Sequence, residues 1–165
     1  MSGNLWIIAP ITLLGAVGVC ALTLLLRSHL GRRRFAKAAL DFRRQREYLE
    51  AKFFEIASQS GKPRGLRWSD CDFEDDVTYA RDRQSGRLTA IVGVAIRFEA
   101  IEGGDMEDVP AVGNVRIGSA VFYRNDRRWQ TSGRAVLNLN PQETIDYYGE
   151  SLELVVQEPT TKSEG

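Results

Sequence analysis

The chain has 165 residues, room for about one globular domain. Lys plus Arg and Asp plus Glu are each 22, so the formal charge is zero and nucleic acid is not expected as a partner. A hydrophobic fraction of 43% with 27% charged excludes a disordered chain, and two cysteines and one histidine leave little for a zinc site, a disulfide framework or a His-based catalytic set.

Residues 5–26, LWIIAPITLLGAVGVCALTLLL, carry no charge. As a helix they would extend about 33 Å, against a hydrocarbon core of about 30 Å. Trp6 lies at interface depth and Pro10 near the start, where a missing N–H is tolerated. A cleaved signal peptide calls for a charged residue before the apolar run, and residues 1–4 hold none. A lipoprotein cysteine follows a small residue, whereas Cys20 follows Val19 deep in the run. The expectation is an uncleaved transmembrane helix over 5–26. The basic residues all follow it, so residues 1–4 are expected outside and the rest of the chain cytoplasmic, as a single-pass protein. Arg27, Arg32, Arg33, Arg34 and Lys37 set that topology and are candidate contacts for anionic lipid headgroups. Residues 27–59 hold nine basic and four acidic side chains, while 60–165 hold thirteen and eighteen.

Residues 35–58 read as one long helix, free of Pro and Gly, with Phe35, Ala39, Phe42, Leu49, Phe53 and Ile56 recurring at spacings near 3.5. Arg46 occupies the one missing place in that stripe. The stripe is expected to pack on a sheet of the same chain; pairing with a second copy is the alternative. After a break at 60–65, strands are expected over 77–81, 88–101, 112–123 and 129–139, with a hairpin turn at Asn125-Asp126. The run 88–101 alternates most clearly. Leu88, Ala90, Val92, Val94, Ile96, Phe98 and Ala100 share the core face, and Thr89, Ile91, Gly93, Ala95, Arg97 and Glu99 share a mixed face that is partly covered or wet. Asn140, Pro141 and Glu143 have the residue types of an N-cap, a first helical residue and a capping-box partner. The short helix they open is expected to continue through Ile145, Tyr148, Leu152 and Val155, leaving 159–165 as a frayed tail.

The expected fold is therefore α+β: an N-terminal transmembrane helix, a basic juxtamembrane segment over 27–34, then a soluble domain over 35–158. That domain is a long helix packed on an antiparallel sheet of about four strands, with a short C-terminal helix. This order of elements resembles the cystatin-like and NTF2-like folds, a resemblance that carries no activity. The stretches GKPRGLRW at 61–68, FEAIEGG at 98–104 and GRAVLNL at 133–139 resemble those of short, membrane-anchored bacterial proteins of an uncharacterised family. That resemblance implies no site.

Asp70, Asp72, Glu74, Asp75 and Asp76 form an acidic cluster, but an EF-hand loop from Asp70 would place Asp75 where Gly is needed and Arg81 where Glu is needed. They read as a solvated turn. Glu99, Glu102, Asp105, Glu107 and Asp108 read likewise, and a weak cation site would require the two clusters to meet. Cys71 has no histidine near it in sequence and reads as an inert thiol. No phosphate-binding glycine loop is present. No catalytic residue, cofactor site or metal site is assigned. Arg124, Arg127, Arg128 and Trp129, with Tyr123 and Arg134 nearby, form a basic-aromatic hairpin that is the candidate patch for a ligand or partner. The expected function is a non-enzymatic, membrane-anchored interaction or ligand-binding domain with a protein partner. The alternatives are an enzyme with carboxylates in a pocket between helix and sheet, and a homodimer through 35–58.

Overall fold

A computed structural model describes residues 5–60 and 64–158, and the side chains of these except 5–21, Leu24 and Ser28. The chain divides into two compact units, Met1–Arg44 and Gln45–Gly165.

The first unit contains one helix, α1 (Leu5–Arg44). The membrane span expected over 5–26 is corrected: among the described residues no helix is long and apolar enough to cross a bilayer. From Leu22 onward α1 runs without a break through Arg27, Arg32, Arg33, Arg34, Lys37, Asp41, Arg43 and Arg44. Each such charge costs about 2.5–3.5 kcal/mol at a bilayer centre, so this stretch is no span. The side chains of 5–21 lie outside the described set, as do residues 1–4 and the tail 159–165. The single-pass topology and the cytoplasmic placement rested on the span and fall with it.

The helix expected over 35–58 is interrupted at Gln45, whose backbone (φ −108, ψ 7) leaves the helical region, and resumes as α2 (Arg46–Gln59). Beyond it come β1 (Leu66–Asp82), β2 (Leu88–Ala100), a single 3₁₀ turn (Pro110–Gly113), β3 (Arg116–Asn125), β4 (Arg128–Leu137), α3 (Pro141–Tyr147) and β5 (Leu152–Glu158). The five strands form one antiparallel sheet in the order β4-β3-β2-β1-β5. The α+β class with an antiparallel sheet holds for this unit.

The strand expected over 112–123 starts only at Arg116, after the 3₁₀ turn, and two further stretches differ in kind from expectation. Residues 66–76 are strand rather than loop. Bulges between Trp68 and Asp70 and between Phe73 and Val77 break the alternation that marks a strand in sequence. The helix begun at Pro141 ends at Tyr147, and 152–158 form the fifth strand. Gly149 weakens the helix, and the edge of β1 at residues 77–82 offers backbone hydrogen bonds that 152–158 take up.

The sheet has two faces of different character. Trp68, Phe73, Val77 and Tyr79 of β1 pair with Phe98, Val94, Val92 and Ala90 of β2 on one face, and Ala120 and Phe122 of β3 continue it. Here α2 packs. Phe53 is fully buried, its ring 6.2 Å from Trp68, 5.7 Å from Phe73 and 5.8 Å from Phe122. Burying such a ring stabilises by about 1.5–3 kcal/mol. Within α2, then, the apolar stripe is covered by its own sheet. On the opposite face Ala80 and Ile91 pack with Ile145 of α3 and with Leu152. The alternation read along β2 separates these two faces correctly.

Candidate functional site

The α3 face of the sheet is covered only in part, and beside the covered portion lies a cavity of about 420 Å³. That is within the range of about 300–1,000 Å³ typical of small-molecule sites. Its floor is apolar, made by Ile91, Val121, Val136 and Leu152, and Thr89, Ser132, Thr144 and Ser151 add hydroxyl groups. The charged groups of the wall are Arg87, Arg134 and Asp82.

Local sequence explains how each wall is held. Asn140 accepts from the backbone N–H of Glu143 at 2.8 Å, and Glu143 accepts from the N–H of Asn140 at 2.9 Å. This is the capping box expected from sequence, and it starts α3 where Thr144 and Ile145 meet the sheet. Thr144 is buried and donates to the Ser119 hydroxyl at 3.1 Å, which donates to the Leu139 carbonyl at 2.8 Å. This chain ties α3 to β3 and to the end of β4.

The β4 wall depends on a bulge. Ala120 pairs with Ala135 and Phe122 with Thr131, so three residues of β4 lie opposite Val121. The Thr131 hydroxyl stitches the irregularity, donating to the Val121 carbonyl and accepting from the Gly133 N–H, both at 3.1 Å. Gly133 takes φ +68, and a Cβ there would lie 2.7 Å from the backbone nitrogen of Ala57 in α2. Only glycine meets both demands. Its neighbours Ser132 and Arg134 reach the cavity on the other face.

Two arginine–tyrosine pairs flank the cavity. The Arg87 guanidinium lies over the Tyr123 ring at 5.0 Å, and that of Arg134 over Tyr148 at 5.1 Å. Such stacking restricts the guanidinium while leaving its N–H edge free to donate. The mouth is braced by Arg83, which donates from Nε to the Gly149 carbonyl at 3.2 Å and from its backbone to the Ser151 carbonyl at 2.8 Å. Asp82 accepts from the backbone N–H and the hydroxyl of Ser85, both at 2.7 Å. Those hydrogen bonds, with the nearby Arg87 charge, hold its carboxyl below the usual carboxylate range. It is an anion fixed in a turn, poorly suited to take or give a proton.

The hairpin patch expected from sequence is dispersed. Trp129 is buried and meets the Tyr79 ring at 6.3 Å on the α2 face. Arg124 is its cross-strand partner and is half-buried. Arg127 and Arg128 stand exposed at the hairpin end. Arg27, Arg32, Arg33, Arg34 and Lys37 are exposed along α1, in the other compact unit.

The acidic cluster at 70–76 belongs to a strand and is partly engaged. Asp70 pairs with Arg97 at 2.6 Å, and Glu99 with Arg67 at 2.6 Å. Among the described residues no group of His, Cys, Asp or Glu is arranged to hold a metal ion. Cys71 borders a second depression, of about 360 Å³, with Glu50, Phe54 and Phe73. Burial, aided by the Asp70 charge, pushes its thiol up to about 12, so it is not a nucleophile at neutral pH.

Sequence reasoning placed Thr89 and Ile91 on the correct face and noticed Tyr123 and Arg134, but it assigned neither arginine of the cavity. Arg87 follows a turn glycine and reads as an ordinary solvated charge. Comparison of the chain with protein-family models, with curated proteins and with solved structures finds no match.

Proposed function

We propose that the Gln45–Gly165 unit is a ligand-binding module whose site is the cavity between α3 and the sheet. One observation supports this most: an apolar floor enclosed by two stacked arginine–tyrosine pairs and a set of hydroxyl groups. A pocket with a few directed polar groups over an apolar base is how proteins hold small molecules. The chemistry of the wall favours binding over catalysis. Its one carboxylate, Asp82, is tied to Ser85, and a general base needs a carboxylate raised by burial.

The test is a small-fragment screen on the full-length chain by methyl NMR. Ligands of this site shift the methyl signals of Ile91, Val121, Val136 and Leu152 together, and Ser132→Phe, which fills the cavity, removes the shifts. A screen in which these four stay still while fragments bind elsewhere would overturn the reading.

A further inference from the structure

We propose that this cavity takes a singly charged organic anion with an aliphatic or aromatic body, a monocarboxylate, held chiefly by Arg134. The inference rests on the cavity being a ligand site and specifies what it holds. The wall supplies two guanidinium groups and one carboxylate. Asp82 and Arg87 close the same β1–β2 turn, where the Asp82 backbone N–H donates to the Arg87 carbonyl at 2.9 Å. After the Ser85 hydrogen bonds, the Arg87 charge also helps to hold the Asp82 carboxyl below its usual range, so Arg87 is the cation that the wall's one carboxylate offsets. Arg134 comes from β4, faces Tyr148, and has no second acidic residue among the cavity's lining to balance it. One positive charge is left over, and one negative charge completes the site.

The remaining contacts decide what carries that charge. A guanidinium stacked on a ring presents two parallel N–H groups, which match a carboxylate in bidentate fashion. Ser132, one residue before Gly133 in the same bulge, adds a hydroxyl donor. Ile91, Val121 and Leu152 offer only apolar surface, so the rest of the ligand is uncharged and hydrophobic. A free inorganic anion would leave this floor wet, and a polyanion would exceed the charge available.

The experiment compares 4-phenylbutyrate with its neutral amide on the full-length chain, by titration calorimetry and methyl NMR. The acid is expected to bind at least about tenfold more tightly, the effect of one charge-assisted hydrogen-bonded pair. Arg134→Gln should remove most of that preference and leave the amide's affinity within about twofold, while Arg134→Lys restores only part of it. Arg87→Gln should reduce the preference less. An unchanged melting temperature, or unchanged amide binding, shows that each variant is folded. If acid and amide bind alike, the anion inference is overturned while the ligand site stands. A preference that survives Arg134→Gln also overturns it. If neither probe moves the cavity methyl groups at millimolar concentration, the site itself is refuted and the inference with it.

Discussion

The guanidinium of Arg46 closes on the main-chain carbonyl of Glu74. The same side chain also donates to the carbonyl of Asp75, and its Nε to Glu50 Oε1 at 2.6 Å. Arg46 occupies the gap in the apolar stripe of the helix, and Glu74 and Asp75 lie in the bulge where β1 slips against β2. The gap is therefore functional in folding: a cation belongs there because two carbonyls released from the ladder need donors. Arg46→Ala should cost about 1.5–3 kcal/mol in urea unfolding, the range for hydrogen bonds from a charged donor. Arg46→Lys should recover less than half, because an ammonium lacks the fork that spans two carbonyls. A change under about 0.5 kcal/mol, as for an ordinary surface site, would show the clamp to be incidental.

Gly133 and Gly86 have nearly the same backbone, φ +68 and φ +67, in different surroundings. At Gly133 a Cβ meets the backbone of α2, and at Gly86 it meets nothing within 4 Å. Gly86→Ala should carry the left-handed strain alone, about 1–2 kcal/mol. Gly133→Ala adds a collision with rigid backbone, for a total of about 2–5 kcal/mol. Equal losses at the two sites would contradict the close approach of α2 to β4.

The β3–β4 hairpin turns through Asp126 (φ 45) and Arg127 (φ 66), both left-handed, as a two-residue turn matched to the sheet twist requires. Arginine is a poor residue for that conformation. Arg127→Gly should raise stability by about 0.5–1 kcal/mol despite losing a charge at the hairpin tip, as a shift in urea midpoint at constant slope. A fall in stability would mean that the Arg127 side chain makes a contact worth more than the strain.

Cys71 gives a pH dependence with a definite sign. Its thiol is raised from an ordinary value of 9.0 to about 12 in the folded chain, by burial first and by Asp70 second. Between those values the unfolded chain has lost the proton and the folded chain keeps it. Through this group stability is therefore full below pH 9.0 and declines as pH rises towards about 12. Alkylation by iodoacetamide at pH 9, read at the Cys71 peptide by mass spectrometry, should be more than tenfold slower in the native chain than in urea. Comparable rates would show the thiol to be open.

Capping α3 supports the cavity wall through Thr144. Asn140→Ala should cost about 1 kcal/mol and weaken fragment binding at the cavity, while Gln142→Ala on the same helix should do neither. Binding unaffected by loss of the cap would separate α3 from the site.

What the sequence determined by itself was local. Asn140, Pro141 and Glu143 lie within four residues and specify a helix start wherever they occur. The alternation from Leu88 to Phe98 assigns two faces without knowing what covers either. Asn125 and Asp126 mark a turn by their residue types, and the left-handed angles themselves fall at Asp126 and Arg127. Tertiary structure decided the rest. Residues 66–76 became strand because β2 offered a partner across two bulges, and 152–158 became strand because β1 had an open edge. Trp129 and Arg134 lie an odd number of residues apart on β4 and so face opposite sides of the sheet, and it was the packing of α2 on one face and of α3 on the other that made the first core and the second cavity wall. The cavity draws on β1, β2, β3, β4, α3 and β5, whose side chains are far apart along the chain. Distance in space, unlike helical or strand period, leaves no mark in the order of residues, so their meeting was legible only once the sheet was assembled.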